Sequence, residues 1–291
     1  KNWEKSAELY MQFAKGNEKE LNADVALHNA GVSYSNLKKP DTEQAILAYE
    51  ILDSKCPDSP HLPSARLKLG IIYYQAGRFE EAKGPLRKIP FNHVLKADAD
   101  YYLAWADLDN KKPIEAARSF QILRLRLTQT TPKHRLVPLC NLYQGIAEFE
   151  GRRFDASTQT LAKFVDEFPE HEKLDEGAYN RGLALMELKK WDDAVKSFDT
   201  VPKKSGIRDR ALYQAAWSKR SATKPAEAIP YYEALLKDHE DSQLANNVTL
   251  ELAEVEFEIG GEKGGGDAAK RLVALLGKKP PPNVDLRRLA L

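Results

Sequence analysis

The sequence predicts an all-α fold made of tandem helical hairpins, and three observations predict it. A small residue, an alanine twelve residues later and a bulky residue four further on recur along the chain. Between these recurring residues, apolar side chains follow helical spacing. Short turns separate the helical stretches. The phrase is clearest at Gly70, Ala82 and Leu86, and returns 34 residues later at Ala104, Ala116 and Phe120. A fixed period of this length is the signature of a repeat array.

Each repeat is predicted to hold two amphipathic helices. In the first helix, residues such as Leu67, Ile71 and Tyr74 recur at three- and four-residue spacing and define one apolar face. A short turn with glycine or a lysine pair follows, and Pro113 and Pro225 then suit the first turn of a second helix. The second helix carries the alanine and the bulky residue, so a close helix crossing is expected there.

Taken in order, the elements divide the chain into three parts. Residues 1–20 are predicted to be the second helix of a truncated repeat, so we expect a fragment of a longer chain. Residues 21–279 are predicted to form seven hairpins in one solenoid, with a turn in the glycine tract 260–266 of the last. Residues 280–291 begin with three prolines, which cannot continue a helix, and are predicted to be a stop and a tail.

The composition argues against several classes of function. With 44 basic and 43 acidic residues, the chain has a net charge of +1 and no general attraction to nucleic acid. No run approaches the roughly 20 apolar residues of a membrane span. Cys56 and Cys140 are too few for a disulfide framework, and Cys140 occupies a position where other repeats have alanine or glycine.

No pattern of residues indicates catalysis. The six histidines are scattered, and no metal-binding pair, nucleophile elbow or cysteine–histidine arrangement can be recognised. The tract Gly260–Gly266 lacks the lysine and hydroxyl residue that end a phosphate-binding loop. The sequence therefore predicts a protein that is not an enzyme, with no catalytic residues, no cofactor and no metal site.

The recurring small residue, alanine and bulky residue resemble the pattern of the tetratricopeptide repeat family. The family has Gly or Ala at position 8 of the repeat, Ala at 20, a bulky residue at 24 and often Pro at 32. Pro57 and Pro169 match the closing proline, whereas the family's tryptophan at position 4 is missing. The resemblance implies a right-handed superhelix. Position 8 is matched by Gly31, Gly70, Ala104, Gly145, Gly182, Ala216 and Ala253, and position 20 by Ala45, Ala82, Ala116, Ala194, Ala228 and Ala268.

The resemblance also implies a protein-binding groove, because positions 5, 9 and 12 of this family's first helices line the concave surface. Here those positions are unusually aromatic, and tyrosine and tryptophan are typical interface anchors. The alternative is that the same rings pack against adjacent helices. The family's clamp for carboxylate termini is not matched. The predicted groove residues are Leu67, Ile71, Tyr74, Tyr101, Trp105, Phe149, Tyr179, Tyr213, Trp217 and Arg220.

Phrases such as Phe168-Pro169-Glu170-His171 are similar to bacterial cell-envelope members of the family, namely outer-membrane assembly lipoproteins and the Tol–Pal-associated periplasmic coordinator. This likeness implies a scaffold that binds a protein or peptide partner, in the periplasm or at the outer membrane. Two alternatives stay open. One is a cytoplasmic assembly adaptor, and the other is the accessory superhelix of a larger cell-wall or polysaccharide-processing enzyme.

Overall fold

A computed structural model describes residues 3–14 and 22–277 of the chain. Over these residues the secondary structure consists of fourteen helices without a strand, which confirms the predicted all-α class. The predicted tail 280–291 and the end of the predicted first segment, residues 15–20, lie outside the described residues. The chain divides into two compact units, Lys1–Ala147 and Glu148–Leu291.

In the first unit, each helix packs on the next one along the chain. The leading helix α1 packs against α2 and buries Ala7, Met11 and Ala14, which lie on one face of the helix. The next six helices form three hairpins. The helices are α1 Trp3–Ala14, α2 Ala23–Ser35, α3 Thr42–Lys55, α4 Leu62–Gln75, α5 Phe79–Arg87, α6 Lys96–Asp109 and α7 Pro113–Thr130.

The boundary between the units falls inside α8, Leu136–Glu150. In the second unit the helices again pack in sequence, from α9 on α10 to α13 on α14. The elements are α9 Phe154–Glu167, α10 Leu174–Glu187, α11 Trp191–Asp199, α12 Arg208–Ser221, α13 Pro225–Asp238 and α14 Ala245–Leu276.

The helix crossings follow the predicted repeat register. At Gly182 a Cβ atom would overlap the ring of Phe198, sixteen residues later in the second helix of the same hairpin. Only glycine allows the two helices to approach this closely. A Cβ atom would likewise overlap the side chain of Tyr49 at Gly31 and that of Leu86 at Gly70. The second-helix alanines are also buried, as at Ala116 and Ala194, which are fully inaccessible.

The hairpin turns that follow α4, α6, α8, α10 and α12 each place one residue in the left-handed backbone region. Thr223 has φ 60°, although a β-branched residue is strained in this region. Its hydroxyl donates to the carbonyl of Ala222. The equivalent turn residues with positive φ are Gly77, Lys111, Arg152 and Lys189.

Replacing Thr223 with glycine is therefore expected to stabilise the protein by about 1 kcal/mol, because the strain disappears. Urea unfolding measures the change. Thr200→Gly is the matched control, since Thr200 has φ −66° and a similar local hydroxyl bond. A gain at Thr200, or a loss at Thr223, would contradict this assignment of strain.

Helix α14 is one helical element from Ala245 to Leu276, where two helices joined by a turn in the tract 260–266 were predicted. However, the guanidinium of Arg271 contacts the carboxylate of Glu256 at 2.8 Å. Fifteen residues of straight helix would separate the two by about 22 Å, so the chain must reverse between them. Glycine tolerates the bend because it carries no Cβ.

Candidate functional site

All ten predicted groove residues lie on first helices of the repeats, but their surroundings differ. Nine of them are partly buried, whereas the Trp217 side chain is exposed, with 40% of its surface accessible. The surroundings therefore separate residues used in helix packing from residues that line open surface.

In the first unit, Trp105 belongs to a cluster of four rings. Its ring centroid lies 4.5 Å from that of Tyr143 and 6.1 Å from that of Phe120, both in edge-on geometry. Tyr101 packs edge-on against Phe120 at 5.8 Å and against Tyr143 at 6.4 Å. Burial raises the pKa of Tyr101 to about 12. These contacts favour a packing role for Tyr101 and Trp105.

The other predicted residues of the first unit are also used in packing. The Tyr74 ring lies 5.8 Å from Tyr102, and its hydroxyl donates to Asp109 at 2.5 Å. Burial, and then that hydrogen bond to a carboxylate, raise the pKa of Tyr74. Leu67 packs against a cluster that contains Leu86, and Ile71 is half-buried.

In the second unit, two predicted residues contact aromatic neighbours. Phe149 lies 5.6 Å from Phe154 across the turn that joins their helices. Tyr179 lies 5.7 Å from Phe198, the ring that fills the space opposite Gly182. Both residues are half-buried, so they contribute to the hairpin interior as well as to its surface.

The remaining three predicted residues line an open cleft in the second unit. Tyr213, Trp217 and Arg220 project from α12, and the opposite wall is formed by α14. The cleft has a volume of about 910 Å³, which lies within the range of ligand and peptide sites. Its other lining residues are Ser221, Thr223, Pro225, Asn247, Leu250, Glu251, Glu254 and Glu258.

A hydrogen-bond network centred on Glu251 fixes the wall of this cleft. Its carboxylate accepts bonds from the hydroxyls of Tyr213 at 2.8 Å and Tyr232 at 2.7 Å. Arg220 donates to the same group at 3.3 Å and contacts Glu254 at 3.6 Å. Burial, and then the bond to Glu251, raise the pKa of Tyr213 to about 12. The two tyrosines therefore stay neutral and act as donors.

Trp217 is positioned from a neighbouring repeat. Its ring lies 5.7 Å from Trp191, at an interplanar angle of 72°. Trp191 is the first residue of α11, next to the turn, and is half-buried. This edge-on contact holds the Trp217 indole in place while much of its surface stays accessible to a ligand.

Sequence reasoning did not select Glu251, Glu258 or Asn247 as site residues, because they lie outside positions 5, 9 and 12 of the repeat. Leu250 and Glu254 occupy positions 5 and 9, so Asn247, Glu251 and Glu258 occupy positions 2, 6 and 13. The signal that could have found them is the i, i+3, i+7 spacing of Glu251, Glu254 and Glu258 on one helix face.

The scattered histidines have a structural explanation. The Nδ1 atoms of His93, His134 and His171 each accept a bond from the backbone N–H two residues later, at 3.1–3.2 Å. Serines do the same in other loops, at Ser59 and Ser205. These side chains order the loop before a first helix. Among the described side chains, no group of three or more His, Cys, Asp or Glu residues could hold a metal ion.

Two segments of the chain are similar to a known repeat family. Tetratricopeptide repeat models match residues 64–90 and 213–280, and the second match includes the whole cleft. Together with the hairpin register, they give the fold of a tetratricopeptide-repeat solenoid. None of the curated proteins compared with the chain matches it significantly.

Solved structures share this fold at low sequence identity. The apo form of RapI is 15% identical, with a TM-score of 0.62, and the match covers 97% of this chain and 79% of RapI. A crystal structure of MamA is 16% identical, with a TM-score of 0.52, covering 63% and 94% of the two chains. A putative kinesin light chain from Podosopora anserina, with nearly identical TPR-like repeats, is 16% identical, with a TM-score of 0.52, covering 64% and 99%.

Within the described residues, none of the helices combines the length and the apolar character that a membrane span requires.

Proposed function

We propose that this chain is a non-catalytic scaffold that binds a segment of a partner protein, with the cleft of the second unit as its binding site. The observation that carries the proposal is the exposed Trp217 in an open cleft of about 910 Å³. Large rings in a partly preformed cleft are typical anchors of protein interfaces. The neighbouring donors and acceptors could pair with the backbone of an extended or helical segment.

The cleft is better suited to a peptide than to a reaction. Its titratable groups are carboxylates, tyrosines held neutral and one arginine, and Glu251 is already engaged by three donors. A general base would need a carboxylate or imidazole poised at its substrate, beside a nucleophile or an oxyanion site. The lining residues instead offer contact surface, hydrogen-bonding groups and charge to a bound peptide.

We further propose that the scaffold acts in a bacterial cell envelope, in the periplasm or at the outer membrane. The support is the likeness of phrases such as Phe168-Pro169-Glu170-His171 to envelope members of the family. Fractionation of source cells with an antibody against this chain tests the location. Recovery with periplasmic or outer-membrane markers is expected, and recovery with cytoplasmic markers would contradict the proposal.

The binding function is tested by selecting short peptides on the 291-residue chain from a displayed random library. Peptides selected on the wild-type protein are expected to lose about thirtyfold in affinity for Trp217→Ala, because truncation of a hot-spot ring costs about 2 kcal/mol. Calorimetry or fluorescence anisotropy measures the affinities, and circular dichroism checks folding.

Lys196→Ala is the matched control, because Lys196 lies on the second helix α11 and its side chain is 78% exposed. The control is expected to bind the selected peptides as the wild type does. If no peptide is enriched, or if both variants bind equally, the cleft is not the binding site.

A further inference from the structure

We infer that the partner segment held in the cleft is basic, with a lysine or arginine next to an apolar residue. This inference rests on the proposed function and names the chemistry of its partner. It depends on three features of the cleft: an excess of carboxylates, an accessible indole beside them, and a lining arginine that is already paired.

The excess of negative charge comes from one face of α14. Glu251, Glu254 and Glu258 follow i, i+3, i+7 spacing, so they stand above one another along the wall of the cleft. Among the described residues that line the cleft, Arg220 is the only cation. Three carboxylates and one guanidinium leave a formal charge of about −2 in a cleft that is partly screened from solvent.

Arg220 does not cancel this excess, because its guanidinium is already paired with two carboxylates of the cleft. Its guanidinium contacts Glu251 at 3.3 Å and Glu254 at 3.6 Å. Glu254 nevertheless keeps 54% of its side chain accessible, and Glu258 is exposed one turn further along the helix. An incoming ammonium or guanidinium group could therefore reach these two carboxylates without displacing Arg220.

The accessible indole suits the rest of such a side chain. Lysine and arginine bury their methylene stems on apolar surface while the charged end stays near water or carboxylates. A cation near an indole face also gains an electrostatic attraction to the ring. Trp217 supplies accessible apolar surface in the same cleft as Glu254 and Glu258. An acidic segment would meet the same carboxylates and be repelled.

Three pools of short synthetic peptides test the inference. All three pools have the same randomised apolar and aromatic positions. They differ only at a fixed set of other positions, which hold lysine or arginine in the basic pool, glutamine in the neutral pool and glutamate in the acidic pool. The basic pool is expected to bind the 291-residue chain at least about tenfold more tightly than either other pool. Its affinity should fall between about 50 and about 300 mM salt, because added ions screen the attraction.

The variant Glu254→Lys/Glu258→Lys is expected to lose about tenfold or more in affinity for the basic pool. The matched control is Glu170→Lys/Glu172→Lys, which changes the net charge equally at exposed positions that do not line the cleft. The control is expected to bind as the wild type does, and circular dichroism should be unchanged in both variants.

The outcomes separate this inference from the proposed function. If the neutral pool binds as well as the basic one, or if charge reversal has no effect, the partner is not basic. If Trp217→Ala nevertheless abolishes binding of the peptides in that case, the cleft remains the binding site. If no pool binds, both proposals are wrong.

Discussion

Phe198→Ala is expected to lower the free energy of unfolding by about 3–5 kcal/mol, the largest stability change that we predict. The Phe198 ring is fully inaccessible and lies in the core cluster of the second unit, beside Ala178 and Val195. Truncation removes its contacts and leaves a cavity, since the glycine opposite, Gly182, has no side chain to fill it.

Urea unfolding monitored by circular dichroism measures this loss. Phe257→Ala is the matched control, because the Phe257 side chain in the same unit is 67% exposed. The control is expected to change stability by no more than about 0.5 kcal/mol. Equal effects at the two positions would show that Phe198 is not the residue that fills the helix crossing.

Gly182→Leu is expected to destabilise the protein by about 3 kcal/mol, because overlap with Phe198 begins at the Cβ atom and the extra methylenes add to it. The two helices must then separate or distort, and either change spreads to the neighbouring hairpin packing. Thermal and urea unfolding both report the change.

Gly206→Leu provides the same substitution where space is open, since a Cβ at Gly206, in the exposed turn before α12, would meet no neighbouring group within 4 Å. It is expected to change stability by no more than about 0.5 kcal/mol, because surface substitutions away from packed groups have small effects. The double variant Gly182→Leu/Phe198→Ala should be more stable than the sum of the single losses by at least about 1 kcal/mol. Strict additivity would mean that the two residues do not share a crossing.

The repeat register could be predicted from the sequence because packing imposes it at every crossing. A glycine that must face a bulky side chain recurs with that side chain at similar spacing, as with Gly182 and Phe198. The strained turn residues were harder to predict from the sequence. Lys111 and Thr223 adopt the left-handed conformation that Gly77 adopts, although neither side chain favours it.

The site could be predicted only in part, because equivalent positions have different neighbours. Trp105 and Trp217 both occupy position 9 of a first helix. Trp105 contacts Tyr143, which occupies position 6 of the following first helix, and an aromatic cluster forms. At the position equivalent to Tyr143, the cleft has Glu251, which binds two tyrosine hydroxyls, so the Trp217 indole stays exposed. Periodicity selects both tryptophans and cannot separate them.

Photo-crosslinking tests most directly the claim that the partner lies in the cleft of the second unit. A benzophenone amino acid replaces Asn247, which is exposed and lines the cleft, in one protein and Lys196 in another, and each is irradiated with the basic peptide pool. Mass spectrometry then measures the yield of adducts. We predict a high yield at position 247, lowered by Glu254→Lys/Glu258→Lys, and a background yield at 196. Equal yields at the two positions, or a higher yield at 196, would contradict the account.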